Sequence, residues 1–179
     1  MSWKGNLLSC GGNAKTVKGD GSEYLTAIMY LTPFKSAGIN VCPMAEQAAC
    51  LEGCLNTAGR GQMSSVQLGR ARKTQWYASD RQGFMGQLFA DLTSFVRHCA
   101  KQGIQPCVRL NGTSDIRWEL IGVGGFANIM LAFPSVQFYD YTKIANRKNL
   151  PPNYHLTWSY SGAKESYAMQ HAIAKVNGL

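Results

Sequence analysis

Four apolar runs of strand length, at 24–31, 106–111, 136–141 and 154–159, are separated along this chain by segments of helical length. A strand that returns to its own sheet through a helix makes a right-handed crossover and pairs in parallel, whereas hairpin strands need only a short turn between them. The alternation therefore predicts an α/β fold with a mostly parallel sheet: a partial (β/α) barrel of about four βα units. The chain has 179 residues, one domain's length, and no repeat, low-complexity tract or linker divides it, so a single domain over 1–179 is expected. With 45% hydrophobic and 16% charged residues it lacks the composition of a disordered chain. No apolar run approaches the roughly 20 residues of a membrane span, and the opening MSWKGNLLSC makes a poor secretory signal. The expectation is a soluble intracellular protein with no membrane partner.

Between the strands, Gly11 to Gly21 reads as loop, Met44 to Asn56 as a short helix, and Ser64-Ser65 as the cap of a helix that runs through Tyr77. A longer helix spans about Arg81 to Gln102, with Phe84, Leu88, Leu92, Phe95 and Cys99 on one stripe. Helical stretches are also expected over about Ile116 to Ala132, around Ile144 to Lys148, and from Lys164 to Val176.

The late strands carry more polar residues than a sheet covered on both faces allows. Alternation sets Cys107, Arg109 and Asn111 against Val108 and Leu110, Asp140 and Thr142 against Tyr139 and Tyr141, and His155, Thr157 and Ser159 against Leu156 and Trp158. If the greasier faces meet the helices, Arg109, Asn111, Asp140, Thr142, His155, Thr157 and Ser159 line one interior and bind substrate there, together with Thr113 and Ser114 of the loop after the second run. Left unpaired, such groups would each cost about 1–3 kcal/mol to bury. Parallel α/β folds bind ligands beyond the carboxyl ends of their strands. Asp115, Asp140 and Lys143 stand there as the candidates for proton transfer or substrate anchoring. An antiparallel sheet with one solvated face would make the same stripe ordinary.

The chain has six cysteines, and without a signal peptide they do not read as a disulfide framework. Cys42, Cys50 and Cys54 lie within thirteen residues, directly after the first strand. A helix would put Cys50 and Cys54 on one face, with Cys42 folding back from the loop before it. A structural zinc site takes four ligands, and His98, His155 and His171 are all distant in sequence. Three thiolates on a four-iron (4Fe-4S) cluster would leave one iron open to a small molecule, an arrangement suited to redox or radical chemistry. Zinc completed by His155, Cys99 or Cys107 is the alternative, and cysteines that merely fill the core or form a redox disulfide are the plainer ones.

Taken together, Asn40-Val-Cys-Pro43, Cys50-Leu-Glu-Gly-Cys54-Leu, Thr57-Ala-Gly-Arg-Gly61, Arg70-Ala-Arg-Lys-Thr74, Val108-Arg-Leu-Asn-Gly-Thr-Ser-Asp115, Phe138-Tyr-Asp-Tyr-Thr-Lys143 and Tyr154-His-Leu-Thr-Trp-Ser159 resemble the phage gene product 88 family, from about Leu8 to the end. That family is similar in turn to radical SAM-like iron–sulfur barrels. The resemblance implies that Cys42, Cys50 and Cys54 are cluster ligands and that the protein works in the host cytoplasm. The radical SAM spacing Cys-x3-Cys-x2-Cys and its Gly-Gly-Glu run are not found in this chain, which counts against S-adenosylmethionine cleavage. Family members tend to continue past Leu179, so the resemblance implies a shortened barrel whose open edge is covered by a host protein, another copy or missing residues.

The formal net charge is +8, and no acidic residue falls between Glu52 and Asp80, where Arg60, Arg70, Arg72 and Lys73 cluster ahead of Trp76 and Tyr77. Basic side chains interleaved with aromatics suit a phosphate backbone and exposed bases. The plain alternative is a solvated helix face with core aromatics. Two functions follow: a cluster-dependent enzyme, or a non-catalytic nucleic-acid-binding phage protein in which the metal only organises the fold.

Overall fold

A computed structural model describes residues 5–11, 23–51, 53–54, 56, 58–162 and 165–179. Most of the loop expected between Gly11 and Gly21 lies outside the described residues. The strands are β1 (Leu8–Cys10), β2 (Tyr24–Met29), β3 (Gln105–Arg109), β4 (Gln137–Thr142) and β5 (Tyr154–Trp158), side by side in that order. β1 pairs antiparallel with β2, and all other pairs are parallel. The sheet is open, with β1 and β5 at its edges, so it is a mostly parallel five-stranded α/β sheet, and the expected partial barrel is not seen. β1 is an addition to the four strands read from sequence. Its three residues are too few to show a period.

The helices are α1 (Ser64–Ser79), α2 (Arg81–Gln102), α3 (Ile129–Ala132) and α4 (Ala168–Val176). α2 follows its sequence signals closely. The Asp80 carboxylate accepts the Gly83 N–H at 2.9 Å, and Gly103, at φ 67°, ends the helix in the left-handed conformation that glycine adopts without steric cost. Its stripe of Phe84, Leu88, Leu92, Phe95 and Cys99 is buried in one core with Ala27, Met29, Val108, Leu110, Phe138, Tyr154 and Leu156 of the sheet. Shortening a fully buried leucine such as Leu88 or Leu92 to alanine removes about 2–5 kcal/mol.

Several expected helices are not formed. The described residues of 44–56 form turns and no helix, 144–148 is irregular, and 116–132 holds only a single turn at Trp118–Leu120 and the short α3. Gly122, Gly124 and Gly125 explain the last case, since two of them adopt positive φ around a tight Val123–Phe126 bridge. Ser64 and Ser65 are the first helical residues of α1 and do not cap it, because Met63 holds the N-cap position. Among the described residues no helix is long and apolar enough to cross a membrane.

Register decides which residues share a face. Val108 pairs with Phe138, Phe138 with Tyr154, and Asp140 with Leu156. Asp140 and Thr142 therefore lie on the helix-covered face, while Cys107, Arg109, Tyr139, Tyr141, His155 and Thr157 alternate onto the other. The expected common lining of Arg109, Asp140, Thr142, His155 and Thr157 is split in two. A one-residue slip exchanges the faces of a strand, and on β4 the fully buried Phe138, rather than Tyr139 or Tyr141, marks the core side.

Candidate functional site

At the carboxyl ends of β3 and β4 the ladder stops early. Only Cys107–Gln137 and Val108–Phe138 pair, and beyond them a side chain takes over from the backbone. Asp140 Oδ1 accepts the Asn111 N–H at 2.9 Å, while Oδ2 accepts the Asn111 side-chain amide at 3.3 Å and the Tyr154 hydroxyl at 3.1 Å. Arg109 Nε stands 3.7 Å from Oδ1, reaching the carboxylate where the strands have parted. Burial pushes the Asp140 carboxyl up to about 7, with the Asn111 N–H and Arg109 pulling the other way.

Asn111 opens a loop whose polar side chains are all engaged. Its own side-chain oxygen accepts from Ser114 Oγ, the Ile116 N–H and Trp118 Nε1, all within 3.0 Å. The Gly112 N–H donates to the Met29 carbonyl, and the Thr113 hydroxyl donates to the Leu31 carbonyl, so this loop is stitched to the end of β2. Asp115 completes the stitching. Its N–H donates to the Val41 carbonyl at 2.8 Å, and its carboxylate accepts from the Thr142 hydroxyl and the Lys143 N–H, each at 2.8 Å. Arg147 adds a buried ion pair to Asp115 at 3.3 Å and binds Glu119 and the Tyr154 hydroxyl through its remaining nitrogens. Burial raises the Asp115 carboxyl despite these donors.

This network holds the cysteine-bearing segment over the strand ends. Cys42 follows the anchored Val41, and its sulfur lies 3.6 Å from the Thr113 carbonyl, with the Phe34 backbone beside it. Phe34 reaches that position with φ at 51°, a left-handed backbone unusual for a bulky residue. From Cys42 the chain turns through Ala49, also left-handed at φ 50°. The Cys50 N–H donates to the Ala45 carbonyl and the Ala49 N–H to the Glu46 carbonyl, the pair of bonds that normally closes a helix over a C-terminal glycine. The Ser161 hydroxyl, on the loop after β5, fixes the same segment through the Ala48 carbonyl at 2.8 Å.

Cys54 is held from the α1 side. Its sulfur accepts the Asn56 N–H at 3.5 Å, and Asn56 is gripped by Gln67 and by Arg70, whose Nη1 lies 2.6 Å from the Asn56 side-chain oxygen. The three thiols thus come from turns secured to different parts of the fold. They lie near enough that the charges of Cys54 and Cys50 bear on Cys42. Burial pushes the Cys42 thiol up to about 11 and raises Cys50 as well, where the Lys143 ammonium opposes the rise. Lys143 Nζ donates to the Tyr160 carbonyl at 3.2 Å. Among the described residues, no group of three or more His, Cys, Asp or Glu is arranged to hold a single metal ion.

The structure therefore brings Cys42, Cys50, Cys54, Thr113, Asp115 and Lys143 together, while Asn111, Ser114, Asp140 and Thr142 form the frame beneath them. Ser159 contributes its N–H to the Thr142 carbonyl. His155 and Thr157 are exposed on the other face of the sheet. The basic cluster is divided too. Lys73 is buried and donates to the Leu7 carbonyl at 3.0 Å, and Arg70 serves Asn56 and stacks on Tyr30, so neither is offered to a phosphate backbone. Arg60 and Arg72 are exposed. Sequence reading passed over Phe34, Trp118, Glu119, Arg147 and Tyr154. Arg147 sits in an irregular segment and Glu119 in a single helical turn too short to show a period, so nothing local distinguished them from surface charges.

Beside the Cys42 segment a pocket of about 400 Å³ is lined by Asn40, Val41, Pro43, Tyr77, Arg81 and Arg117 among others, with Asp115 at its wall. A family model described as gene product 88 matches residues 6–178. No curated protein and no solved structure matches the chain, and nothing in these comparisons extends the likeness to radical SAM proteins.

Proposed function

The chain belongs to the phage gene product 88 family, and from the site at its strand ends we propose that it is an iron–sulfur protein with Cys42, Cys50 and Cys54 as ligands. The observation that supports this reading is that three cysteine-bearing turns are each secured separately around the strand ends, the Cys54 sulfur already receiving the Asn56 N–H. Hydrogen bonds to sulfur are among the features by which proteins tune such clusters. The donor set fits the group. It is all sulfur, and a single zinc, with bonds of about 2.3 Å, would need four ligands drawn close together, which the described residues do not offer. In a four-iron cluster each thiolate takes a different iron, so the sulfurs need not converge on one point.

When bound, such a cluster supplies one-electron chemistry at the iron that three cysteines leave without a protein ligand. The chain's own residues do the rest. Lys143 sets a cation beside Cys50 and so offsets the negative charge of the thiolates. Asp115, saturated by Thr142, Lys143 and Arg147, acts as a positioning residue that joins the Cys42 segment to β4. The pocket beside Cys42, bordered by Arg81 and Arg117, offers a place for a small substrate at about the lower end of the size range of ligand sites.

Anaerobic reconstitution with iron and sulfide tests the proposal. Broad visible absorption that bleaches on reduction and is lost in Cys50→Ala is the expected result. A folded protein that stays colourless would overturn it.

A further inference from the structure

The face of the sheet turned away from α1 and α2 carries a second set of functional groups. Cys107, Arg109, Gln137, Tyr139, Tyr141, His155 and Thr157 alternate onto it, and along β4 and β5 it is open: Tyr141 is 48% exposed, Gln137, His155 and Thr157 are exposed, and Tyr139 is half-buried. Register sets Tyr139 beside His155 and Tyr141 beside Thr157. The Arg109 guanidinium lies over the Tyr141 ring at 5.0 Å. Its Nε is buried and has no hydrogen-bond partner, 3.7 Å from the Asp140 carboxylate. No strand residue on this face is acidic, and Asp140 itself is turned to the other side and occupied by Asn111 and Tyr154.

From this placement we infer that the β4–β5 half of the open face binds single-stranded nucleic acid. Two tyrosines at alternate positions of one strand stand about 6.6 Å apart, room for two unstacked bases, and an imidazole flanks them on the next strand. Base–aromatic stacking tolerates any base because every base has a π-face, and the Arg109 guanidinium packed on Tyr141 holds that ring in place on the strand. A duplex has no free base faces to offer such a surface. The chain's charge of +8 supplies the long-range attraction that nucleic-acid binding needs. An acidic peptide would answer the charges but would leave the rings without a role. The surface lies apart from Arg60 and Arg72 and contains none of the three proposed cluster ligands, so it stands or falls independently of the metal.

The test is fluorescence anisotropy of the full chain with labelled oligo-dT and oligo-U of twelve nucleotides, and with a duplex of the same length, at low and moderate salt. Saturable binding to the single strands, weaker to the duplex, is expected. Tyr141→Ala with His155→Ala should weaken it by about tenfold or more, while Arg60→Ala with Arg72→Ala should leave the larger part of the affinity in place. Both residues of the first variant are exposed, and an unchanged thermal melt shows that it is folded. Absence of saturable binding, equal affinity for duplex, or an affinity unmoved by the Tyr141 and His155 substitutions each overturns the inference.

Discussion

The guanidinium of Arg147 grips the carboxylate of Glu119 through two parallel hydrogen bonds, Nε to Oε1 at 2.9 Å and Nη2 to Oε2 at 2.5 Å, with the arginine side chain fully buried. The same guanidinium reaches Asp115 at 3.3 Å and the Tyr154 hydroxyl at 3.1 Å. A forked cation shared among two carboxylates and a phenol ties the irregular 143–153 segment to the loop after β3. No helix fills that crossover, so charge and hydrogen bonds do what packing does elsewhere.

Removing one member of a buried ion network leaves its partners charged and unpaired, at a cost of about 3–5 kcal/mol. Arg147→Ala is expected to lose that much in urea unfolding, with a fall in melting temperature of roughly 10 °C for a chain of this size. Arg147→Lys cannot reproduce the two-pronged contact and should recover only part of the loss. A change within about 0.5 kcal/mol, as for an ordinary surface residue, would contradict the network's structural role.

Gly112 lies where the loop after β3 crosses β2. A Cβ there would come within 2.6 Å of the Met29 carbonyl and 2.8 Å of the Tyr30 ring. Gly112→Ala should therefore push the Thr113–Asp115 segment away from Leu31 and Val41, lowering stability by about 1–3 kcal/mol and exposing Cys42 to thiol reagents faster. An alanine variant with unchanged melting and unchanged Cys42 reactivity would refute this contact.

Much of the frame was legible because it repeats. The four parallel strands and α2 show apolar runs and a helical stripe many residues long. The register across β3, β4 and β5 was not, since Phe138 and Tyr139 are both aromatic and only packing against α2 selects between them. The cysteine turns failed as a helix for a related reason. The run Ala45-Glu-Gln-Ala-Ala49 is made of good helix formers, yet the chain leaves the helical path at Ala49 because Ala48 and Val41 are held by Ser161 and Asp115 from other loops.

Ala49 is exposed and left-handed, a conformation that costs an L-residue about 1 kcal/mol and glycine almost nothing. Ala49→Gly is expected to stabilise the protein by up to about 1 kcal/mol without disturbing the bond from Cys50 to Ala45. Destabilisation would mean that the turn is not closed in this way.

Burial raises Asp140 from 3.8 to about 7. The folded state thus favours the protonated acid, so its contribution is complete below about pH 4, declines as pH rises towards about 7, and is spent above it. Asp140→Asn has no such proton. The stability of the native chain relative to this variant should fall by a few kcal/mol between about pH 4 and about pH 8. A difference that does not change with pH would show that the carboxylate stays ionised throughout.

The central claim is that three cysteines hold an iron–sulfur cluster, and metal and acid-labile sulfide analysis of protein purified without air tests it most directly. The expected result is about four iron and four sulfide per chain, both abolished when Cys42, Cys50 and Cys54 are replaced by serine. One zinc per chain with neither iron nor sulfide would contradict it.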